Sequence, residues 1–79
     1  MKLYVRVKPR EGVLDPEGRA VHRALGELGY ELVSDVRIGK LIELELATDD
    51  PDQARALARE MCEKLLANPV IEQYEIEDA

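Results

Sequence analysis

Two closely similar helix-start signals constrain how this chain can fold. Asp15-Pro16-Glu17 and Asp50-Pro51-Asp52 each combine an aspartate suited to an N-cap, a proline at the first helical position and an acid in the first turn. Apolar residues recur at helical spacing after each signal, until Gly29 in the first segment and Asn68-Pro69 in the second. The sequence therefore predicts two helices.

The segments at the two ends of the chain predict strands. Residues 2–8 alternate between apolar and polar side chains, which is typical of a half-buried strand. Residues 70–77 predict the last strand. The side chains expected to face inward on these two strands are Leu3, Val5, Val7, Val70, Tyr74 and Ile76.

Residues 31–38 and 41–47 predict a strand pair joined at Ile38-Gly39-Lys40. A two-residue loop would place Val36 opposite Glu43 and mix the two faces. A three-residue loop places Val36 opposite Ile42 and keeps one face apolar. Because a slip of one residue moves every side chain to the other face, the three-residue loop is the prediction.

The element order β-α-β-β-α-β predicts an α+β fold, with a four-stranded antiparallel sheet and both helices on one face, as in ferredoxin-like folds. The whole chain, residues 1–79, is expected to be a single domain. In this fold the first strand is central, between the third and the fourth. Its basic outward stripe then lies between acidic neighbours, which supports that order. The outward residues are Lys2, Tyr4, Arg6 and Lys8 on the first strand, Glu43 and Glu45 on the third, and Gln73, Glu75 and Glu77 on the fourth.

Length and composition point to self-association. A chain of 79 residues has a small core, and its single cysteine allows no disulfide within the chain. We therefore expect a homo-oligomer, with the outward apolar residues Val33, Leu41 and Ile71 as candidate contacts. The net charge of −6 argues against binding nucleic acid or an anionic membrane. A free thiol without an export signal predicts a cytoplasmic protein.

The sequence offers no convincing catalytic, cofactor-binding or metal-binding group. Cys62 lies on the apolar stripe of the second helix, which favours a buried structural thiol over a nucleophile. His22, the only histidine, has no evident partner for acid–base work. Glu43 and Glu45 are more simply a solvated pair beside a basic strand. The glycines follow neither the GxGxxG nor the P-loop spacing.

The predicted fold also hosts functions that this sequence does not support. An RNA-recognition module would carry aromatic residues on its central strands, and this chain has no Phe or Trp. The first loop lacks the CxxC of a copper chaperone, and no arginine and asparagine pair marks an acylphosphatase. A stand-alone regulatory domain that binds a small molecule, such as an amino acid, stays open as the alternative.

Three sequence blocks carry a resemblance to a known family: EGVLDPEG at residues 11–18, DVRIGK at 35–40 and MCEKLLANPVIE at 61–72. Together they resemble PurS, the small subunit of phosphoribosylformylglycinamidine synthase. The resemblance implies a non-catalytic subunit in de novo purine synthesis, itself a dimer or tetramer. It would bridge a glutaminase subunit and a large synthetase subunit, which would hold ATP and magnesium, and assist ammonia transfer between them.

A bridging subunit needs exposed surface for its partners, and two loops are candidates. They are the loop before the first helix and the predicted hairpin tip, since exposed loops on a rigid scaffold often carry recognition. The candidate partner-contact residues are Glu11, Gly12, Val13, Leu14, Arg37, Gly39 and Lys40.

Overall fold

The computed structural model describes all residues from 1 to 79 and contains three strands and two α-helices. A π-helical turn over Cys62–Leu66 follows the second helix directly. In chain order the elements are β1 Lys2–Pro9, α1 Pro16–Glu27, β2 Lys40–Glu45, α2 Pro51–Met61 and β3 Glu72–Asp78.

Both helices begin where the sequence predicts. The Asp15 carboxylate accepts a hydrogen bond from the Gly18 N–H at 3.0 Å, and Asp50 accepts one from the Asp52 N–H at 3.0 Å. Each bond satisfies one of the free N–H groups in a first helical turn. The π turn after α2 closes with a bond of 3.1 Å from the Ala67 N–H to the Cys62 carbonyl.

The sheet has the order β2-β1-β3, and both pairs are antiparallel. The prediction that the first strand is central is therefore confirmed. On the inner face Val5 lies opposite Ile42 on one side and Ile76 on the other. On the outer face the Arg6 guanidinium donates to Glu77 at 2.9 Å, as the predicted charge pattern requires.

The core forms where α2 packs on the inner face of the sheet. Leu3 and Val5 on β1 are fully buried, and so are the small residues Ala54, Ala58 and Cys62 on the α2 side. Small side chains let the helix approach the sheet closely. The inward orientation predicted for β1 is thus confirmed.

The predicted hairpin is wrong. Residues 33–39 belong to no strand, and residues 33–38 form no backbone–backbone hydrogen bond. The sheet consequently has three strands, and β2 pairs with β1 alone. The last strand also starts later than predicted, because the Asn68 carbonyl accepts bonds from the N–H groups of Ile71 and Glu72 in a turn. Val70, predicted to face inward, lies in this turn and is 80% exposed.

Helix α1 does not lie on the sheet beside α2, contrary to the prediction of two helices on one face. It makes no extended contact with any other element, and its apolar residues Val21 and Leu28 are 39% and 72% exposed. The radius of gyration is 15.8 Å, against about 12 Å for a compact chain of this length. We call residues 16–38 the arm, and the sheet with α2 and its π turn the body.

No helix in the structure is both long enough and apolar enough to cross a membrane.

Candidate functional site: the junction of arm and body

The chain returns from the end of α1 by running back along that helix. At the middle of α1, the His22 imidazole and the Val33 carbonyl are 2.8 Å apart. A carbonyl only accepts, so Nε2 of His22 carries the proton and donates it. Further back, Gly18 lies so close to the Val36 carbonyl that a Cβ at Gly18 would be 2.4 Å from that oxygen. These contacts hold the two halves of the arm together.

Asp15 fixes the root of the arm. One carboxylate oxygen caps α1 through Gly18, and the other accepts a bond of 2.8 Å from the Ile38 N–H. These two bonds, with the nearby charge of Arg37, hold the pKa of the Asp15 carboxyl below its ordinary value. A single side chain thereby joins the start of α1 to the end of the return segment.

Arg37 forms the second attachment at the root. Its guanidinium donates to the backbone carbonyls of Pro9 and Arg10, at 3.1 and 2.9 Å. The sequence suggested that Arg37 is a free cation for a partner, but in the structure its guanidinium is hydrogen-bonded to backbone carbonyls of the same chain. Arg37 therefore ties the arm to the end of β1.

Gly39 and Gly12 allow the backbone to turn at this junction. A Cβ at Gly39 would lie 2.4 Å from the Val7 carbonyl, so only glycine fits against β1 there. Gly12 has a φ of +80°, which side chains other than glycine rarely adopt. Gly12 therefore shapes the loop before α1, and Gly39 lets the residues before β2 pass close to β1.

An open cleft of about 530 Å³ lies between the arm root and the end of the sheet. We call it the junction cleft. The loop before α1, the residues leading into β2 and the turn before β3 all contribute to its walls. Its side chains include Val13, Leu14, Asp15, Ile38, Lys40 and Ile71. The three sequence blocks at residues 11–18, 35–40 and 61–72 thus meet at one site, although they are far apart in the chain.

The structure brings together four of the seven candidate partner-contact residues in the junction cleft: Val13, Leu14, Gly39 and Lys40. Leu14 is 72% exposed. Gly12 and Arg37 line a shallower depression next to the cleft, and Glu11 is exposed outside both.

The three candidate contacts for self-association lie on different elements. Val33 is half-buried in the arm, Leu41 is 53% exposed on the outer face of β2, and Ile71 is 45% exposed at the junction cleft. Val21 on α1 and Leu28 at its C-cap are also exposed, at 39% and 72%.

The reactive side chains take structural positions. Cys62 is fully buried, and burial raises the pKa of its thiol, with a smaller contribution from the Glu63 charge. A buried thiol with a raised pKa is a poor nucleophile. The Tyr74 hydroxyl donates to Glu63 at 2.8 Å, which raises the pKa of Tyr74. No group of three or more His, Cys, Asp or Glu side chains is arranged to hold a metal ion.

Sequence reasoning missed the second role of Asp15 and the exposure of α1. Asp15 was identified as an N-cap, and a cap uses only one carboxylate oxygen. The second oxygen accepts a hydrogen bond from the Ile38 N–H, 23 residues away. No local sequence pattern predicts a contact over that separation.

Comparisons with known proteins agree with this architecture over the whole chain. The family profile described as PurS, phosphoribosylformylglycinamidine (FGAM) synthase, matches residues 2–79. Among curated relatives, the chain is 53% identical over 77 residues to the FGAM synthase subunit PurS of Bacillus subtilis, covering 98% of this chain and 88% of that one. It is 44% identical over 75 residues to PurS of Methanocaldococcus jannaschii, with coverage of 95% and 90%.

Solved structures give the same result. A chain in a structure described as PurLQS from Thermotoga maritima matches with a TM-score of 0.88 and 36% identity, covering 99% of this chain and 95% of that one. A crystal form of Bacillus subtilis PurS matches with a TM-score of 0.82 and 52% identity, covering 98% of both chains.

Proposed function

The chain belongs to the PurS family of FGAM synthase, and from this we propose that it is the small, non-catalytic subunit of such a synthase in purine biosynthesis. In the proposal it bridges a glutaminase subunit and a large ATP-dependent synthetase subunit. The observation that carries the proposal is the full-length match to a chain in the PurLQS structure, with a TM-score of 0.88.

The chemistry of the site supports an adaptor. The synthase must pass ammonia between subunits without loss to water, and a close junction between proteins achieves this by excluding solvent. Such a junction needs a shaped, firmly held surface. The junction cleft provides one, because Asp15, Arg37 and Gly39 fix its walls through contacts within the chain. ATP and magnesium would then be bound by the large subunit, with no cofactor on this chain.

The proposal includes the junction cleft as a contact with one of the two partner subunits. Leu14 offers an exposed apolar anchor, and Lys40, which also lines the cleft, offers a cation on an otherwise acidic protein. Surface charges of this kind guide docking more than they stabilise a fold. Arg37 is left out of this contact, since its guanidinium is occupied by backbone carbonyls.

The proposal also includes self-association, in the cytoplasm where a free thiol such as Cys62 persists. Only eight residues are buried in the single chain, and ten large apolar side chains are exposed. A chain this small that leaves so much apolar surface uncovered gains stability by covering it with another chain.

Reconstitution tests the proposal. The chain is mixed with the glutaminase and large subunits of its own organism, and FGAM formation is measured with glutamine and then with an ammonium salt. We expect a three-component complex, and glutamine-dependent synthesis that requires this chain. Ammonium-driven synthesis should require it less, since free ammonia does not have to cross the junction.

Lys40→Glu and Leu14→Asp probe the junction cleft, and Lys8→Glu is the matched control, with the same charge change at an exposed position outside the cleft. Both cleft variants should weaken assembly and reduce glutamine-dependent synthesis more than the control does. Failure of the wild-type chain to join the complex would contradict the proposed function. Normal assembly of both cleft variants would instead remove the cleft from the contact.

A further inference from the structure

Arg10 is the residue at which three segments of the chain meet, just after β1 ends. Its backbone N–H donates to the Ile71 carbonyl at 2.9 Å, and its side-chain Nε donates to the Pro69 carbonyl, also at 2.9 Å. Its own carbonyl accepts bonds from the Val13 N–H at 3.2 Å and from the Arg37 guanidinium at 2.9 Å. Arg10 therefore joins the turn before β3, the loop before α1 and the arm.

The turn before β3, residues 68–71, is closed by its own hydrogen bonds. The Asn68 carbonyl accepts a bond of 3.1 Å from the Ile71 N–H. The Glu72 carboxylate, at the start of β3, accepts a bond of 2.7 Å from the Asn68 N–H. Beyond Glu72, the only hydrogen bonds between this turn and the rest of the chain are those of Arg10. The turn is thus one unit, and Arg10 fixes its place.

The loop before α1 starts from the same residue. The bond from the Val13 N–H to the Arg10 carbonyl closes a β-turn whose third residue is Gly12, with a φ of +80°. A positive φ at this position is what a type II turn requires. Leu14 follows the turn directly, so the position of its exposed side chain depends on where Arg10 holds the turn.

The side chain of Arg10 is exposed, yet it pairs with no carboxylate. Its Nε–H donates to a carbonyl instead, and a bond from a charged donor is stronger than one between neutral groups. The Arg10 carbonyl has two lone pairs, and Val13 and Arg37 occupy both of them. Arg10 is therefore held through its backbone and its side chain at once.

We infer that Arg10 is a positioning residue for the junction cleft, because it sets the separation of the exposed apolar residues Leu14 and Ile71. Leu14 lies on the loop before α1 and Ile71 on the turn before β3, and both line the cleft. A partner subunit that contacts both needs them at a fixed separation, and Arg10 acts through them without touching the partner. The inference rests on the proposed contact between the cleft and a partner subunit, and it names the residue that prepares that contact.

Three substitutions at Arg10 separate positioning from direct contact. Arg10→Gln places an amide nitrogen, which is a donor, where the side chain has Nε, and removes the charge. Arg10→Met places a methyl group there and offers no donor. Arg10→Lys keeps the charge but has a methylene at that position. Arg55→Met is the control for loss of an exposed arginine elsewhere, since Arg55 pairs with Asp78 at the other end of β3.

The thermal midpoint first checks the fold of each variant, which is then titrated with the glutaminase and large subunits of the same organism. We expect Arg10→Met to join the complex on the order of tenfold more weakly than wild type, and Arg10→Gln to join it close to normally. Arg10→Lys should fall between them, and Arg55→Met should match wild type. Arg10→Met should also consume more glutamine for each FGAM formed, because a displaced wall lets ammonia escape, while ammonium-driven synthesis changes least.

Normal binding by Arg10→Met would overturn the inference and leave the proposed function in place. Normal binding by Arg10→Lys with weak binding by Arg10→Gln would overturn it as well, because the charge itself would then contact the partner. An Arg10→Met chain that does not fold would show that Arg10 holds the fold and not the cleft alone. Failure of the wild-type chain to join the complex would contradict the proposed function, and this inference with it.

Discussion

The Asp15 carboxylate accepts a hydrogen bond from the Ile38 N–H at 2.8 Å, while its other oxygen caps α1. This relationship joins two sequence blocks and sets the direction in which the arm leaves the body. Asp15 and Ile38 both line the junction cleft.

The bonded Asp15 predicts a dependence of stability on pH. The pKa of Asp15 in the folded protein is below its ordinary value of 3.8. The ionised carboxylate therefore stabilises the fold above about pH 4, and this stabilisation is lost as the pH falls through the lowered pKa. Asp15→Asn should lower the thermal midpoint at pH 7, because an amide has only one oxygen for two donors. The difference from wild type should shrink below about pH 4.

Glu60→Gln is the control for this experiment, since the pKa of Glu60 is also lowered, by its hydrogen bond with Lys64 on the helix surface. That exposed pair should change the midpoint little. An Asp15→Asn protein with wild-type stability at pH 7 would show that the carboxylate does not hold the arm.

The two glycines of α1 should respond oppositely to alanine. At Gly18 a Cβ would lie 2.4 Å from the Val36 carbonyl, so Gly18→Ala should cost about 1–3 kcal/mol in the free energy of unfolding. At Gly26 nothing lies within 4 Å, and Gly26→Ala should stabilise by about 0.5–1 kcal/mol. Denaturant unfolding measures both. Equal effects would mean that Val36 does not pack on Gly18.

Cys62 and His22 should be dispensable for catalysis. Cys62→Ala removes one buried atom and should cost about 1–2 kcal/mol, with turnover of the reconstituted synthase near that of wild type. His22→Ala removes the bond to Val33 and should likewise leave turnover close to normal. The intact thiol should react slowly with a thiol reagent until the protein unfolds. A hundredfold loss of turnover in a folded variant would reveal chemistry on this chain.

Local signals explain what the sequence predicted well. The cap and proline at each helix start act within one turn, and the alternation in residues 2–8 places Leu3, Val5 and Val7 on one face wherever that strand lies. The charged stripe of β1 also indicated its central position, since Arg6 needs acidic neighbours such as Glu77.

The sequence by itself determined where the helices start and which side chains of β1 share a face, because each of these depends on residues a few positions apart. Only the tertiary structure decided where residues 33–38 and α1 go. A strand pattern specifies which side chains would share a face but not whether the segment pairs with a neighbouring strand, and residues 33–38 pair with none in this chain. The bonds of Asp15 and Arg37 to distant backbone groups direct the arm away from its own sheet.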